Sequence, residues 1–256
     1  TGIGLSLTML QAWIPPYPLA FNAPAWAMSA FVAFYAVFPA LLNRMRSMKT
    51  RMVFLVTALI WVTSQLVVLL IRNLWYQGGG TLLHDFLFYN PIFHFNSFLV
   101  GMAAGLYFKR SDPDRVDQRW NLFFLVFSLL LGVAFIFLRT DIIQRLPFRI
   151  EYTTGLLSPI YALIILLLSQ DQTAFSRFLS KPLLVAAGDL GLSIYLLQTP
   201  LVEMYKHILL PRLEVHFPWT ADWHFQIYFP LLLLAAILAR VLFEDPLQKL
   251  IRKKWL

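Results

Sequence analysis

Polar side chains inside apolar runs are few enough in this sequence to name: Asn22, Ser29, Gln65, His94, Asn96, Ser97, Asp189, Ser193, Tyr195, Gln198 and Arg240. If those runs lie in lipid, each polar group needs a protein partner or water. Trp26, Ser29 and Ala33 follow at three- and four-residue steps and so share one helix face. That face is small and slightly polar, while Phe31, Phe34, Tyr35 and Phe38 bulk out the rest. The same periodicity also fits a membrane helix with an aromatic collar. His94 and Ser97 share a face; His94 is either a hydrogen-bonded packing histidine or a residue that lines a cavity and relays a proton. Ser97 and Gly101 lie four apart, so a helix could approach closely there. Tyr195 and Gln198 share a face, with Pro200 freeing a carbonyl nearby, and interhelical hydrogen bonding fits them equally well.

Other chemistries find no support. His-Glu-x-x-His, Gly-x-Ser-x-Gly and the phosphate loop are all missing. Gly78-Gly79-Gly80 has no strand-to-helix pattern around it and reads as a flexible loop. Asp112, Asp114 and Asp117 suggest a calcium ladder, but Pro113 and the missing distal Glu break it. With no cysteine there is neither a disulfide framework nor a thiolate metal site, and no metal site is expected. The net charge of +8 is no nucleic-acid signal, because most of it falls in short loops between apolar blocks.

The elements that must position these residues are membrane helices. The chain has 256 residues, 59% hydrophobic and 13% charged, far from a soluble composition. Its apolar blocks run about 17–20 residues, enough to span a bilayer. The pattern predicts an all-α polytopic transmembrane bundle forming a single membrane domain over 1–256. Seven full spans are expected, with a partial one in 1–14. The spans are about 24–42, Met52–Ile71, Pro91–Phe108, Asn121–Leu138, Thr153–Ser169, one from Asp189 to about Leu209, and Phe225–Phe243. Residues 73–89 are expected as a loop, and 176–188 as a short interfacial segment. A charged Asp deep in lipid is costly, so Asp189 is expected to act as N-cap of its helix. Arg44, Arg46, Lys49, Arg51, Lys109, Arg110, Arg115, Arg119, Arg177, Lys181, Lys249, Arg252, Lys253 and Lys254 fall on one side, 14 of the 21 cations. Arg72, Arg139, Arg145, Arg149, Lys206 and Arg212 fall on the other, while Arg240 snorkels from the last helix. The bias places the first set, and the C-terminus, in the cytoplasm. The opening at Thr1, without a charged leader, suggests a chain cut at its N-terminus.

Four stretches together resemble the acyltransferase family 3 membrane proteins. Residues 22–39, NAPAWAMSAFVAFYAVFP, are similar to the family's N-x-P-x-W-S-L-S-x-E-x-x-F-Y-x-x-F-P. Residues 90–101, NPIFHFNSFLVG, are similar to N-P-x-x-R/H-x-P-E-F-x-x-G. Residues 188–200, GDLGLSIYLLQTP, are similar to G-x-x-S-Y-x-x-Y-L-x-H/Q-x-P, and 243–246, FEDP, to the closing F-E-x-P. Leu10-Gln-Ala-Trp13 fits the helix before the first motif. Phe31 and Ser97 stand where the family has Glu, and Ala27 where it has Ser.

The resemblance implies an integral membrane acyltransferase of the bacterial inner membrane. It would move an acyl group, acetyl above all, from acyl-CoA to a hydroxyl of a cell-surface carbohydrate or lipid-linked glycan. No cofactor is implied beyond acyl-CoA as donor, and the partners are membrane lipid and the glycan acceptor. The family's catalytic His and its partner Arg are expected upstream of residue 1, so the chain resembles the C-terminal two-thirds of such a protein. Asn22, Trp26, Ser29, His94, Tyr195 and Gln198 are the candidate substrate-binding residues, with His94 also a candidate substitute base. The rival readings are a transporter or flippase, in which the polar residues line a path, and a non-catalytic membrane subunit, favoured by Phe31 and Ser97.

Overall fold

A computed structural model describes residues 2–112, 116–212 and 223–255, the side chains of 140–144 and 253–255 excepted. Pro113, Asp114, Arg115, residues 213–222 and the side chains of Lys253 and Lys254 lie outside the described residues. Helices are the regular secondary structure of the described residues, with no strand among them. They divide into two compact units, residues 1–21 with 26–178 and residues 22–25 with 179–256.

The first unit starts with the short helix α1 (Gly2–Leu7) and a 3-10 turn at Gln11–Trp13. Then come α2 (Trp26–Arg46), α3 (Thr50–Leu74), α4 (Leu82–Tyr89), α5 (Pro91–Arg110), α6 (Gln118–Arg145), α7 (Ser158–Gln170) and α8 (Ala174–Leu179). Its centre is α5. The span Leu82–Arg110 is 39% buried, where the other four candidate spans are 11–17% buried. Leu99, Met102, Ala103 and Leu106 of α5 close on Met45 of α2 and Val53 of α3. Asn90 caps α5, its Oδ1 accepting from Ile92 N, and Pro91 follows where a missing N–H costs nothing.

The basic ends of three helices meet. The Arg110 guanidinium, in the last turn of α5, donates to the carbonyls of Met45, Arg46 and Met48 and to Thr50 Oγ1. It thereby satisfies carbonyls that the end of α2 leaves without intrahelical donors. Gln170 Nε2 donates to Ser111 Oγ, and Asn121 Nδ2 donates to the Leu167 carbonyl, so α6 begins and α7 ends at this same level.

The second unit comprises a 3-10 turn at Ala23–Ala25, α9 (Pro182–Asp189), α10 (Gly191–Met204), α11 (His224–Ala239) and α12 (Asp245–Trp255). A π-helical turn, Tyr205–Leu209, extends α10, and another, Arg240–Glu244, joins α11 to α12. α10 and α11 run antiparallel: Tyr205 meets His224 and Tyr228 at one end, and Asp189 meets Arg240 at the other.

The chain is an integral membrane protein of the expected class, but seven full spans were too many. Among the described residues, five helices are long and apolar enough to cross, six if Pro182–Asp189 and Gly191–Arg212, bent by 49°, count as one span. The fifth expected span starts at Ser158 and has only 13 residues, about 20 Å against a hydrocarbon core of about 30 Å. The helix starts late because Gly155 takes φ +94° and Pro159 follows. Residues 149–155 instead thread beside α3 and α5, their backbone held by side chains. Asn73 pairs with both backbone groups of Arg149, Gln65 and Asn96 donate to the Thr154 carbonyl, and Trp61 Nε1 donates to the Gly155 carbonyl at 2.8 Å. Irregular backbone at such depth is tolerated where protein groups satisfy it.

Further corrections concern local chemistry. Residues 82–89 form a helix rather than a loop, because Thr81 Oγ1 accepts from His84 N as an N-cap. Asp189 is not an N-cap; it ends α9, and its carboxylate is used by Arg240. Arg240 pairs across helices with Asp189. Around Ser97 the Gly155 turn comes close, α7 lines the same pocket through Ser158, Tyr161 and Ala162, and a Cβ at Gly101 would meet nothing within 4 Å.

Candidate functional site

In the first unit, one end of α5 carries a run of rings. His94 lies one turn into α5, and its ring centroid is 4.9 Å from that of Trp26 at the start of α2. Trp26 meets Tyr89 edge-on at 5.5 Å, Tyr89 meets His84 at 5.9 Å, and His84 lies 4.4 Å from Phe88. The sequence folds this way because Pro91 and the Asn90 cap start α5 immediately after α4 ends, which turns Tyr89 and His94 toward the same side. Asn90 Nδ2 also donates to the Trp13 carbonyl, holding the Leu10–Trp13 stretch against this end.

His94 Nε2 lies 2.8 Å from the Phe88 carbonyl oxygen. A carbonyl can only accept, so Nε2 carries a proton, and Nδ1 is the basic nitrogen whenever the ring is neutral. Ser29 is fully buried, and its hydroxyl donates to the Met9 carbonyl at 2.6 Å. It therefore anchors the residues before α2.

Beside the rings sits an ion pair that is not among the expected site residues. Arg72, near the end of α3, faces Glu151 at 3.6 Å and lies 4.0 Å above the Tyr76 ring. Glu151 is 6% exposed, and its other oxygen accepts from Thr153 N and Oγ1. Tyr76 OH and His84 Nδ1 are 2.7 Å apart. An alternation of Arg72, Tyr76 and the turn at Thr81 could have hinted at the cluster; Glu151, some 80 residues on, could not.

In the second unit, Asn22 Nδ2 donates to the Leu196 carbonyl at 3.0 Å. Pro200 has no N–H, so the Leu196 carbonyl four residues earlier lacks its helical donor, and Asn22 supplies one. Tyr228 OH donates to the Gln198 carbonyl at 2.8 Å. The Gln198 side chain is exposed, and Tyr195 is half-buried.

The third and fourth motif stretches also meet here. Arg240 Nη2 donates to Asp189 Oδ2 at 2.8 Å, with Asp245 Oδ1 3.7 Å from its Nε, and the Ser193 hydroxyl donates to Glu244. A helix break and a π-helical turn face each other across this cluster, and π bulges concentrate at functional sites.

Of the six candidate binding residues, Trp26, Ser29 and His94 belong to the first unit and Asn22, Tyr195 and Gln198 to the second. Trp26 and His94 touch; Ser29 turns away to Met9. Phe31, where a Glu was expected, stacks on Tyr35 and is 42% exposed. A family model described as an acyltransferase domain matches residues 2–245. No curated protein and no solved structure matches the chain.

Proposed function

Because the chain belongs to the acyltransferase family 3, we propose that it serves transfer of an acyl group, acetyl above all, from acyl-CoA to a hydroxyl of a cell-surface carbohydrate or lipid-linked glycan. The observation that carries this reading is the family match over 2–245, within which the motif stretches pair off in space, Trp26 with His94 and Ser193 with Glu244. The acceptor oxygen attacks the thioester carbon as a base takes its proton; the carbon–sulfur bond breaks, and CoA leaves as a thiol once protonated. Trp26 and His94 are proposed to face the acceptor, and Asn22, Tyr195 and Gln198 are proposed as substrate-binding residues within the second unit. His94, with Nδ1 basic, is the candidate base within this chain. The basic ends of α2, α5 and α12 support a plasma-membrane protein with its C-terminus in the cytoplasm.

Membranes carrying the protein, given labelled acetyl-CoA, are expected to place the label in glycan or glycolipid, read by mass spectrometry. Transfer indistinguishable from membranes without it overturns the proposal. In the same assay, unchanged turnover in His94→Gln removes His94 from the chemistry while leaving acyl transfer standing.

Transport is the second reading, favoured by the bent α9–α10 span and the Asp189–Arg240 pair, since broken helices with paired charges mark transporter sites. Glycolipid translocation without covalent change would favour it.

A further inference from the structure

A groove of about 460 Å³ runs along the outside of α2 and α5, toward their basic ends and away from Trp26 and His94. Its floor is Gly101 and Gly105, and Phe38, Leu42 and Phe98 wall it. A Cβ at either glycine would meet nothing within 4 Å, so these glycines hollow a surface rather than seat a neighbouring helix. Arg46 and Lys109 close the groove at one end. Both are exposed, and neither has an ion-pair partner among the described residues. Arg110 next door differs, with its guanidinium spent on the turn between α2 and α3.

The geometry points to a binding site for one anionic phospholipid. From Gly101 to Lys109 the helix rises about 12 Å, so a hydrocarbon chain can lie over the glycines while a phosphate reaches the two cations. Apolar surface followed by unpaired positive charge, along a membrane helix near its end, is the order in which a phospholipid carries its tail and headgroup. Basic pockets between transmembrane helices bind such headgroups. A helix from another copy would fill the hollow but would leave Arg46 and Lys109 without counter-charge.

The test uses the full chain, purified in mild detergent, with phosphatidylglycerol or phosphatidylcholine added and retained lipid counted by native mass spectrometry. Phosphatidylglycerol is expected to be retained preferentially. R46Q/K109Q, losing two near-surface cations, should weaken that retention about 30-fold. G105L, which fills the groove and keeps both charges, should abolish the preference. Equal retention of the two lipids, or unchanged retention in either variant, overturns the site. Excess CoA should leave the lipid in place; displacement by CoA makes the cations part of a donor site and overturns the assignment. Against misfolding of a variant, a photoactivatable phosphatidylglycerol on the unaltered chain should label peptides from α2 or from 98–109. Labelling confined to other regions overturns the proposal.

Discussion

The Thr154 carbonyl offers a quantitative test of how the chain holds irregular backbone inside the membrane. Thr154 is fully buried, and its carbonyl accepts from Asn96 Nδ2 at 3.1 Å and Gln65 Nε2 at 3.2 Å. Either donor alone keeps it satisfied. Asn96→Ala removes one of them together with the bond to Ser64 Oγ at 3.0 Å. At roughly 0.6 kcal/mol per polar contact within a membrane protein, plus lost packing, that variant should cost about 2 kcal/mol. Gln65→Ala, half-buried and with one bond to lose, should cost about 1 kcal/mol. The double variant leaves a buried acceptor with no partner, a penalty of about 1–3 kcal/mol that neither single variant incurs. Its destabilisation should therefore exceed the sum of the singles by about 1–2 kcal/mol. Reversible unfolding in mixed micelles, followed by tryptophan fluorescence, measures this, because Trp61 is bonded to the adjoining Gly155 carbonyl. Additivity of the two substitutions within about 0.5 kcal/mol would refute the shared-acceptor account.

Gly155→Ala should destabilise by at least about 2 kcal/mol in the same assay, since φ +94° disfavours a side chain and the new Cβ would run into Asn96 and Ser97. Ser29→Ala should cost about 1 kcal/mol and speed protease cleavage near Met9, the carbonyl it releases. Pro200→Ala restores a helical donor to the Leu196 carbonyl, so Asn22→Ala should cost clearly less in the Pro200→Ala background than alone. Equal costs in the two backgrounds would break the link between Asn22 and Pro200. Asp189→Ala should raise amide exchange around 189–194, with Arg240 keeping only the longer contact to Asp245; unchanged exchange would show that the pair fixes nothing.

Much of the site region was legible residue by residue. Pro200 announced a freed carbonyl, and the structure identifies it as that of Leu196. Asp189, deep in an apolar run, announced the need for a partner, but nothing in the run pointed to Arg240, 51 residues away. Thr153–Ser169 was expected as a full span because it carries no charged residue, yet the helix there is only Ser158–Gln170. Hydropathy alone is blind to the left-handed turn at Gly155. Residues 82–89 were misread as a loop because eight residues are too few for a periodic signal, and only the Thr81 cap declares them a helix.

By itself, the sequence determined that this is a helical membrane protein of the acyltransferase family 3, which helix ends carry the cations, and which polar residues needed partners. These are properties of run length, charge placement and residue type, and they are written along the chain. The tertiary structure alone decided who the partners are: Met9 for Ser29, Leu196 for Asn22, Phe88 for His94, Thr154 for Asn96 and Gln65. Each of those partners is a backbone carbonyl. Every residue carries one, so apart from Pro200, which frees the Leu196 carbonyl, side-chain identity leaves no trace of which will be used, and only folding brings donor and acceptor within reach.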